Sequence, residues 1–145
     1  MQDQNLQASV RDWVAAWGTE VAAVDMTTAR DRFAADVVSF GTYAEAVRGL
    51  DRLEAEQWRN VWPRISGFSF RVDELIVMAS ADGTQAVAVV PWDSVGIDPD
   101  GARFDRPGRA TIVLQRTSAN ERWTGVHTHF SLAPTRADAT GEQPE

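Results

Sequence analysis

The spacing of the apolar residues changes once along this chain, and that change limits the folds open to it. Residues 6–24 carry apolar side chains every three or four positions, which is the period of an amphipathic helix. From Phe68 onward apolar and polar side chains alternate, which is the period of a half-buried strand. Helices followed by strands predict an α+β protein, in which helices cover one face of a curved antiparallel sheet.

Two further helices are predicted before the strands begin. The first covers residues 28–35, where Thr28 and Asp31 have the spacing of a capping pair. The second begins at Asp51 and is limited by Pro63, since proline has no N–H to give to a helix. Short strands at 37–40 and 44–47 separate these helices.

The second half of the chain predicts long strands joined by turns. The strands cover residues 68–78, 84–95, 110–116 and 122–132, and Asp82-Gly83 is a hairpin signal between the first two. Pro91 indicates a bulge or a sheet edge, because it cannot complete a ladder of hydrogen bonds. Residues 96–108 are expected to form a long hairpin loop, and the polar residues 135–145 a flexible C-terminal tail.

Composition excludes several classes of function. The chain has 145 residues, a net charge of −7, no cysteine and no lysine. The negative charge disfavours nucleic acids and anionic membranes as partners. Without cysteine or lysine there is no thiolate metal site, cysteine nucleophile or Schiff base. No apolar run reaches the length of a bilayer span and the first residues are polar, so we expect a single cytoplasmic domain.

The end of the last predicted strand resembles a known family. The stretch from Trp123 to Pro134, with Val-His-Thr-His and a serine at 131, is similar to the last strand of SnoaL-like proteins in the nuclear transport factor 2-like superfamily. Phe33-Ala-Ala-Asp and Arg48-Gly49 fit the same pattern, and the resemblance covers residues 10–134. It implies a cone-shaped sheet around the first helix, with a pocket at its open end, a domain at 1–134 and a homodimer formed through the outer face of the sheet.

The resemblance also indicates which chemistry is missing. Steroid isomerases of the superfamily use an aromatic hydroxyl group from the first helix, and Trp13 occupies that place. Epoxide hydrolases use an arginine between two aspartates, and only Asp93 matches, since Pro91 and Thr128 occupy the other two places. In the related kinase association domain, a pocket arginine corresponds to Phe130 here. Fold is therefore implied more strongly than activity.

With those catalytic groups replaced, the resemblance implies a pocket that is mostly apolar and rich in tryptophan. The residues expected to line it are Trp13, Trp17, Phe40, Trp62, Trp92, Val113 and Phe130. The candidates for catalysis are Asp93 as a general base, with Tyr43 or Thr128 assisting. Trp58 and Trp123 are expected to pack in the core. Arg103, Arg106 and Arg109, on or next to the loop at 96–108, are expected to form a solvated rim or to steer an anionic ligand to the mouth of the pocket.

The two histidines, His127 and His129, project to one face of the last strand because they are two residues apart. No carboxylate follows within residues 130–134, so no metal site is predicted. Alternation places the more apolar Val126, Thr128, Phe130 and Leu132 on the opposite face, and the resemblance implies that this face is inside the cone. The histidines would then lie on the outer face, where we expect a structural role or a dimer interface that protonation would loosen.

Three functions stay open at this point. The first is binding of a hydrophobic small molecule without turnover. The second is an isomerase, cyclase or dehydratase that uses a pocket carboxylate and no cofactor, and the third is an oligomeric assembly module.

Overall fold

A computed structural model of the chain describes residues 4–134. Helix α1 (Gln4–Ala23) is long and places its apolar side on the core, as its spacing predicts. Helix α2 (Met26–Arg30) begins two residues earlier than predicted, because the Asp25 carboxylate accepts a hydrogen bond of 3.1 Å from the Thr28 N–H and so caps it. It also ends five residues earlier than predicted, and residues 33–35 belong to the first strand instead. The predicted tail at 135–145 lies outside the described residues.

The third helical segment is one continuous stretch with changing turn widths. It starts as α3 (Leu50–Leu53), widens into a π-helical turn (Glu54–Trp58), returns to α4 (Arg59–Val61) and tightens into a 3₁₀ turn (Trp62–Arg64). Pro63 lies in the tight last turn, where its missing N–H costs least. The wide turn leaves both Gln57 and Trp58 buried, although they are consecutive residues.

Eight strands form one sheet. Their bounds are β1 (Phe33–Phe40), β2 (Ala46–Arg48), β3 (Ile65–Phe70), β4 (Ile76–Ala79), β5 (Gln85–Ile97), β6 (Arg103–Asp105), β7 (Gly108–Gln115) and β8 (Thr124–Leu132). The order is β2-β1-β8-β7-β5-β3, and β4 and β6 also pair with β5. The α+β class is confirmed, but the sheet is mixed rather than purely antiparallel, since β1 and β8 run parallel.

Pro91 lies inside β5 without breaking it. Its carbonyl accepts a 2.9 Å bond from the Arg71 N–H, at the point where the neighbour of β5 on that side changes from β4 to β3. The nitrogen of Pro91 therefore faces the gap between β4 and β3, where no hydrogen bond from β5 is required. For this reason the proline is accommodated without a sheet edge or a bulge in β5.

Trp17 of α1 shows how strongly the sheet curves. Its ring centroid is 4.9 Å from that of Phe33 on β1 and 5.7 Å from that of Phe70 on β3. These strands are four spacings apart in the sheet order, which would be about 19 Å if the sheet were flat. The sheet therefore wraps around α1, and its concave side encloses the core.

Among residues 4–134, no helix combines the length and the apolar character needed to cross a bilayer.

Candidate functional site

One cavity opens on the concave side of the sheet, between the helices and the strand ends. About 40 Å³ of it is open to the centre of a water-sized sphere, and the space free of protein atoms is about 470 Å³ when the open mouth is included. Residues of α1, the third helical segment, β1, β3, β5 and β8 surround it, together with the loop after β1 and the residue after β6. Most of the cavity wall is apolar, which is typical of a site for a small organic molecule.

Aromatic rings form most of this wall. Trp58 and Trp62, one turn apart on the third helical segment, stack with their centroids 4.6 Å apart and their planes 20° apart. On the strands, the Trp92 ring centroid is 5.4 Å from that of Phe68 and 5.9 Å from that of Phe130. These rings make the wall largely aromatic, and aromatic rings of a ligand pack favourably against such side chains.

Gln57 fixes the loop at the cavity mouth. Its side-chain oxygen accepts hydrogen bonds from the backbone N–H groups of Tyr43, at 3.1 Å, and Ala44, at 2.7 Å. The amide can reach the loop because residue 41 is glycine: a Cβ there would lie only 2.2 Å from the Gln57 Cδ. The wide helical turn and Gly41 together hold the loop close to the helix.

Arg106 brings a positive charge into the same cavity. Its backbone is held to β5, since its N–H donates to the Ser94 carbonyl at 2.9 Å and its own carbonyl accepts from the Ser94 hydroxyl at 2.7 Å. Its guanidinium group donates to Thr42 Oγ1 at 2.8 Å and lies 5.5 Å from the centroid of Trp92. Burial lowers the pKa of Arg106, although an arginine stays charged at neutral pH.

A pair of hydroxyl groups forms the remaining polar part of the wall. Ser39 Oγ and Thr128 Oγ1 lie 2.7 Å apart, and both residues are buried. They come from neighbouring parallel strands at matched register, Ser39 on β1 and Thr128 on β8. The pair joins the two strands and presents hydroxyl oxygens to the cavity.

Six of the residues singled out from the sequence line the cavity. They are Trp17, Phe40, Trp62, Trp92, Thr128 and Phe130. Phe40 ends β1 at the rim of the cavity: it is 43% exposed, and its ring lies on the outer face beside His127 and His129. What any of these residues does to a ligand stays a prediction.

Two residues expected in the pocket lie elsewhere. Trp13 is buried beside a shallow groove on another side of the molecule, where Trp123 and Asp12 are its neighbours. Val113 pairs with His127 on the outer face of the sheet, and the inward positions of its strand are Ala110, Ile112 and Leu114. The apolar run at 110–114 hides the alternation that would have shown which face each residue takes.

Two of the catalytic candidates also lie away from the cavity. Adjacent strand residues face opposite sides, so Asp93 points outward because Trp92 points inward. The Asp93 side chain is 58% exposed, and its Oδ2 lies 3.4 Å from Arg71 Nε. Tyr43 is 63% exposed and lines shallow surface grooves instead. Only Thr128 keeps a place in the cavity wall.

The histidines lie on the outer face beside Phe40, whose ring centroid is 5.9 Å from that of His127 and 5.2 Å from that of His129. His127 Nδ1 is 2.7 Å from the Val38 carbonyl oxygen. Because a carbonyl only accepts, Nδ1 carries the proton and donates it to β1. This bond gives His127 a role in joining β8 to β1, whereas the dimer interface stays a prediction.

Sequence reasoning missed several wall residues. Arg106 was expected to be on a solvated rim, Trp58 in the core alone, and Ser39, Thr42 and Gln57 were not singled out. One signal was available for Gln57, since it is four residues after Leu53 and four before Val61 and so lies on the predicted apolar helix face, where an amide is unusual. The inward turn of Arg106 depends on the break between β6 and β7 at residues 106–107, which no local pattern indicates.

Comparison with protein families places this geometry in context. The family model described as SnoaL-like domain matches residues 10–135. Comparison with curated proteins gave no match.

Several solved structures share the fold. A nuclear transport factor 2-like superfamily protein from Salmonella enterica serovar Typhimurium has 16% identity and a TM-score of 0.75, with 91% of this chain and 94% of that chain covered. A ketosteroid isomerase-like protein from Erwinia carotovora atroseptica has 16% identity and a TM-score of 0.76, covering 92% and 100%. A protein with a cystatin-like fold from Caulobacter vibrioides has 16% identity and a TM-score of 0.74, covering 94% and 95%.

These structures establish the fold alone, because their identities are low. The family model covers residues 10–135, which is most of the chain. The chain therefore belongs to the SnoaL-like domain family.

Proposed function

We propose that this protein binds a hydrophobic small molecule in the tryptophan-lined cavity. The observation that carries the proposal is the wall of aromatic rings around a space open at one end, contributed by α1, the third helical segment and the strands. Burial of a planar apolar compound against these rings is favourable in proportion to the apolar area removed from water, about 25 cal/mol per Å².

Binding is better supported than carboxylate catalysis. Within residues 4–134, no aspartate or glutamate lines the cavity. An isomerase, cyclase or dehydratase of the expected kind needs a base within hydrogen-bond reach of its substrate. Asp93 is on the other face of β5, so it has no path to a ligand held against Trp92.

A neutral fluorescent probe, N-phenyl-1-naphthylamine, tests the proposal. We expect saturable fluorescence enhancement with one site per chain. The Val61→Phe variant, which adds volume at a half-buried residue of the cavity wall, should weaken binding by about tenfold or more through steric conflict with the probe.

Val113→Phe is the matched control, since it adds the same volume on the outer face of the sheet. It should leave the probe affinity within about twofold of the wild type. Equal losses in both variants, or enhancement that does not saturate, would count against the cavity as the binding site.

A further inference from the structure

Several polar groups of the cavity wall have hydrogens left to donate, so they suit a ligand that accepts hydrogen bonds. The Gln57 side-chain oxygen already accepts two hydrogen bonds from the loop, which fills its capacity. Thr42 Oγ1 accepts from Arg106 at 2.8 Å and from Gln57 Nε2 at 3.4 Å, which leaves its own O–H to donate. The Ser39 and Thr128 hydroxyls share one mutual bond and so keep one further proton to donate.

Buried indole groups add to this surplus of donors. The Nε1 atoms of Trp17 and Trp92 are buried without a hydrogen-bond partner in the described part of the chain, and both residues line the cavity. A buried donor that lacks an acceptor costs about 1–3 kcal/mol. The wall therefore offers several hydrogen-bond donors, and the acceptors it keeps among these groups are the spare lone pairs of the Ser39 and Thr128 hydroxyls.

Arg106 adds a charge that the protein does not neutralise. Other arginines of the described chain, such as Arg30, Arg32 and Arg59, form ion pairs with glutamate or aspartate. Arg106 forms none among residues 4–134, and its partners are a threonine hydroxyl and the face of Trp92. Desolvating a cation without a counter-ion is costly, so a bound anion would be stabilised there.

We infer that the ligand carries a carboxylate, which Arg106 binds at the cavity mouth while the apolar body lies among the tryptophan rings. This inference rests on the proposed function and adds the class of ligand, an aromatic or polycyclic carboxylic acid. A planar guanidinium group suits a planar carboxylate. Arg106 donates one side-chain hydrogen bond to the protein, to Thr42, so its other N–H groups can donate to the ligand. The free Thr42 O–H is beside it and donates to the same oxygen atoms.

A matched pair of ligands tests the inference: 2-naphthoate and 2-naphthamide, which differ in charge and little in shape. Isothermal titration calorimetry at pH 7 should show 2-naphthoate binding at least about tenfold more tightly, because hydrogen bonds to a charged group are the stronger kind. Arg106→Gln should remove this preference, so that the ratio of the two affinities falls to about one. Arg106→Lys should keep part of it, because the charge remains while the planar fork is lost.

Arg103→Gln is the matched control. Arg103 is on β6, three residues before Arg106, but it is exposed and donates to Ser66 Oγ at 3.2 Å outside the cavity. This variant should bind both ligands as the wild type does. A preference lost equally in both variants would show a general effect of surface charge and would overturn the inference.

The remaining outcomes separate the two proposals. Equal affinity of the wild type for the two naphthalene compounds, or binding of N-phenyl-1-naphthylamine alone, overturns the carboxylate inference and leaves the binding function standing. Failure of all three compounds to bind overturns both. If Arg106→Gln weakens both compounds equally while its circular dichroism and melting temperature are unchanged, Arg106 shapes the mouth without binding the anion, and the inference fails.

Discussion

Replacing Trp17 by alanine is expected to lower the free energy of unfolding by about 3–5 kcal/mol, the usual range for a large buried aromatic residue. Trp17 is 2% exposed, and its ring meets Phe33, Phe70 and Phe130 with centroids between 4.9 and 5.7 Å away. One side chain thus contacts three strands of the curved sheet. Urea unfolding followed by circular dichroism measures the loss.

Two further variants make this prediction decisive. Trp17→Phe keeps part of the ring contacts and should give an intermediate loss even if the alanine variant does not fold. Ile76→Ala removes apolar volume from a residue that is 60% exposed, and should change stability by less than about 0.5 kcal/mol. If Trp17→Ala and Ile76→Ala lose the same stability, Trp17 does not hold the sheet around α1.

Replacing Arg32 by methionine is expected to destabilise the fold by about 3 kcal/mol. Arg32 Nε lies 2.7 and 2.8 Å from the two carboxylate oxygens of Glu20, and its Nη2 lies 2.7 Å from one of them. The Glu20 side chain is 8% exposed, so removing its partner leaves a buried charge unpaired, which typically costs about 3–5 kcal/mol. The lower end applies because the Arg32 side chain is 22% exposed and water reaches the pair.

A double-mutant cycle measures the pair directly. Glu20→Leu combined with Arg32→Met should be more stable than Arg32→Met alone, because the buried charge is then gone. Glu20→Leu alone should cost less than Arg32→Met alone, since the released guanidinium can turn toward water. Additive losses, with no recovery in the double variant, would mean that this ion pair does not join α1 to the start of β1.

The order of helices and strands was predictable because the spacing of apolar residues typical of each element continues over many residues. The helical period of α1 continues over several turns, and β5 was recognisable from the apolar run at 86–90 after the Asp82-Gly83 turn signal. The parallel pairing of β1 with β8 was not predictable in this way, since it joins segments about ninety residues apart and leaves no local pattern. The π-helical turn likewise has no composition signal of its own.

Residues of the candidate site were predictable where the period of the helix or strand showed which side each residue takes, and were not predictable elsewhere. Trp17 and Trp62 recur on helix faces that had to be buried, and both line the cavity. Trp92 and Asp93 were both expected in the pocket, although neighbours on a regular strand cannot share a face. Arg106 was missed because its direction depends on the chain between β6 and β7 and on two hydrogen bonds to Ser94.

The tryptophans themselves can show whether a small molecule binds inside this cavity. Of the six tryptophans, Trp17, Trp58, Trp62 and Trp92 line it, whereas Trp123 lies outside it with its Nε1 donating to Ser9 Oγ at 2.9 Å. The chain therefore contains its own internal reference for a binding experiment.

The most direct measurement is the set of indole N–H signals in a ¹H–¹⁵N NMR titration with 2-naphthamide. Each signal is assigned by a single tryptophan-to-phenylalanine variant. Ring currents from a bound naphthalene should shift the signals of the four lining tryptophans with one common dissociation constant and leave that of Trp123 in place. Equal shifts at Trp123, or no shift at the four lining residues at saturating ligand, would contradict binding in the cavity.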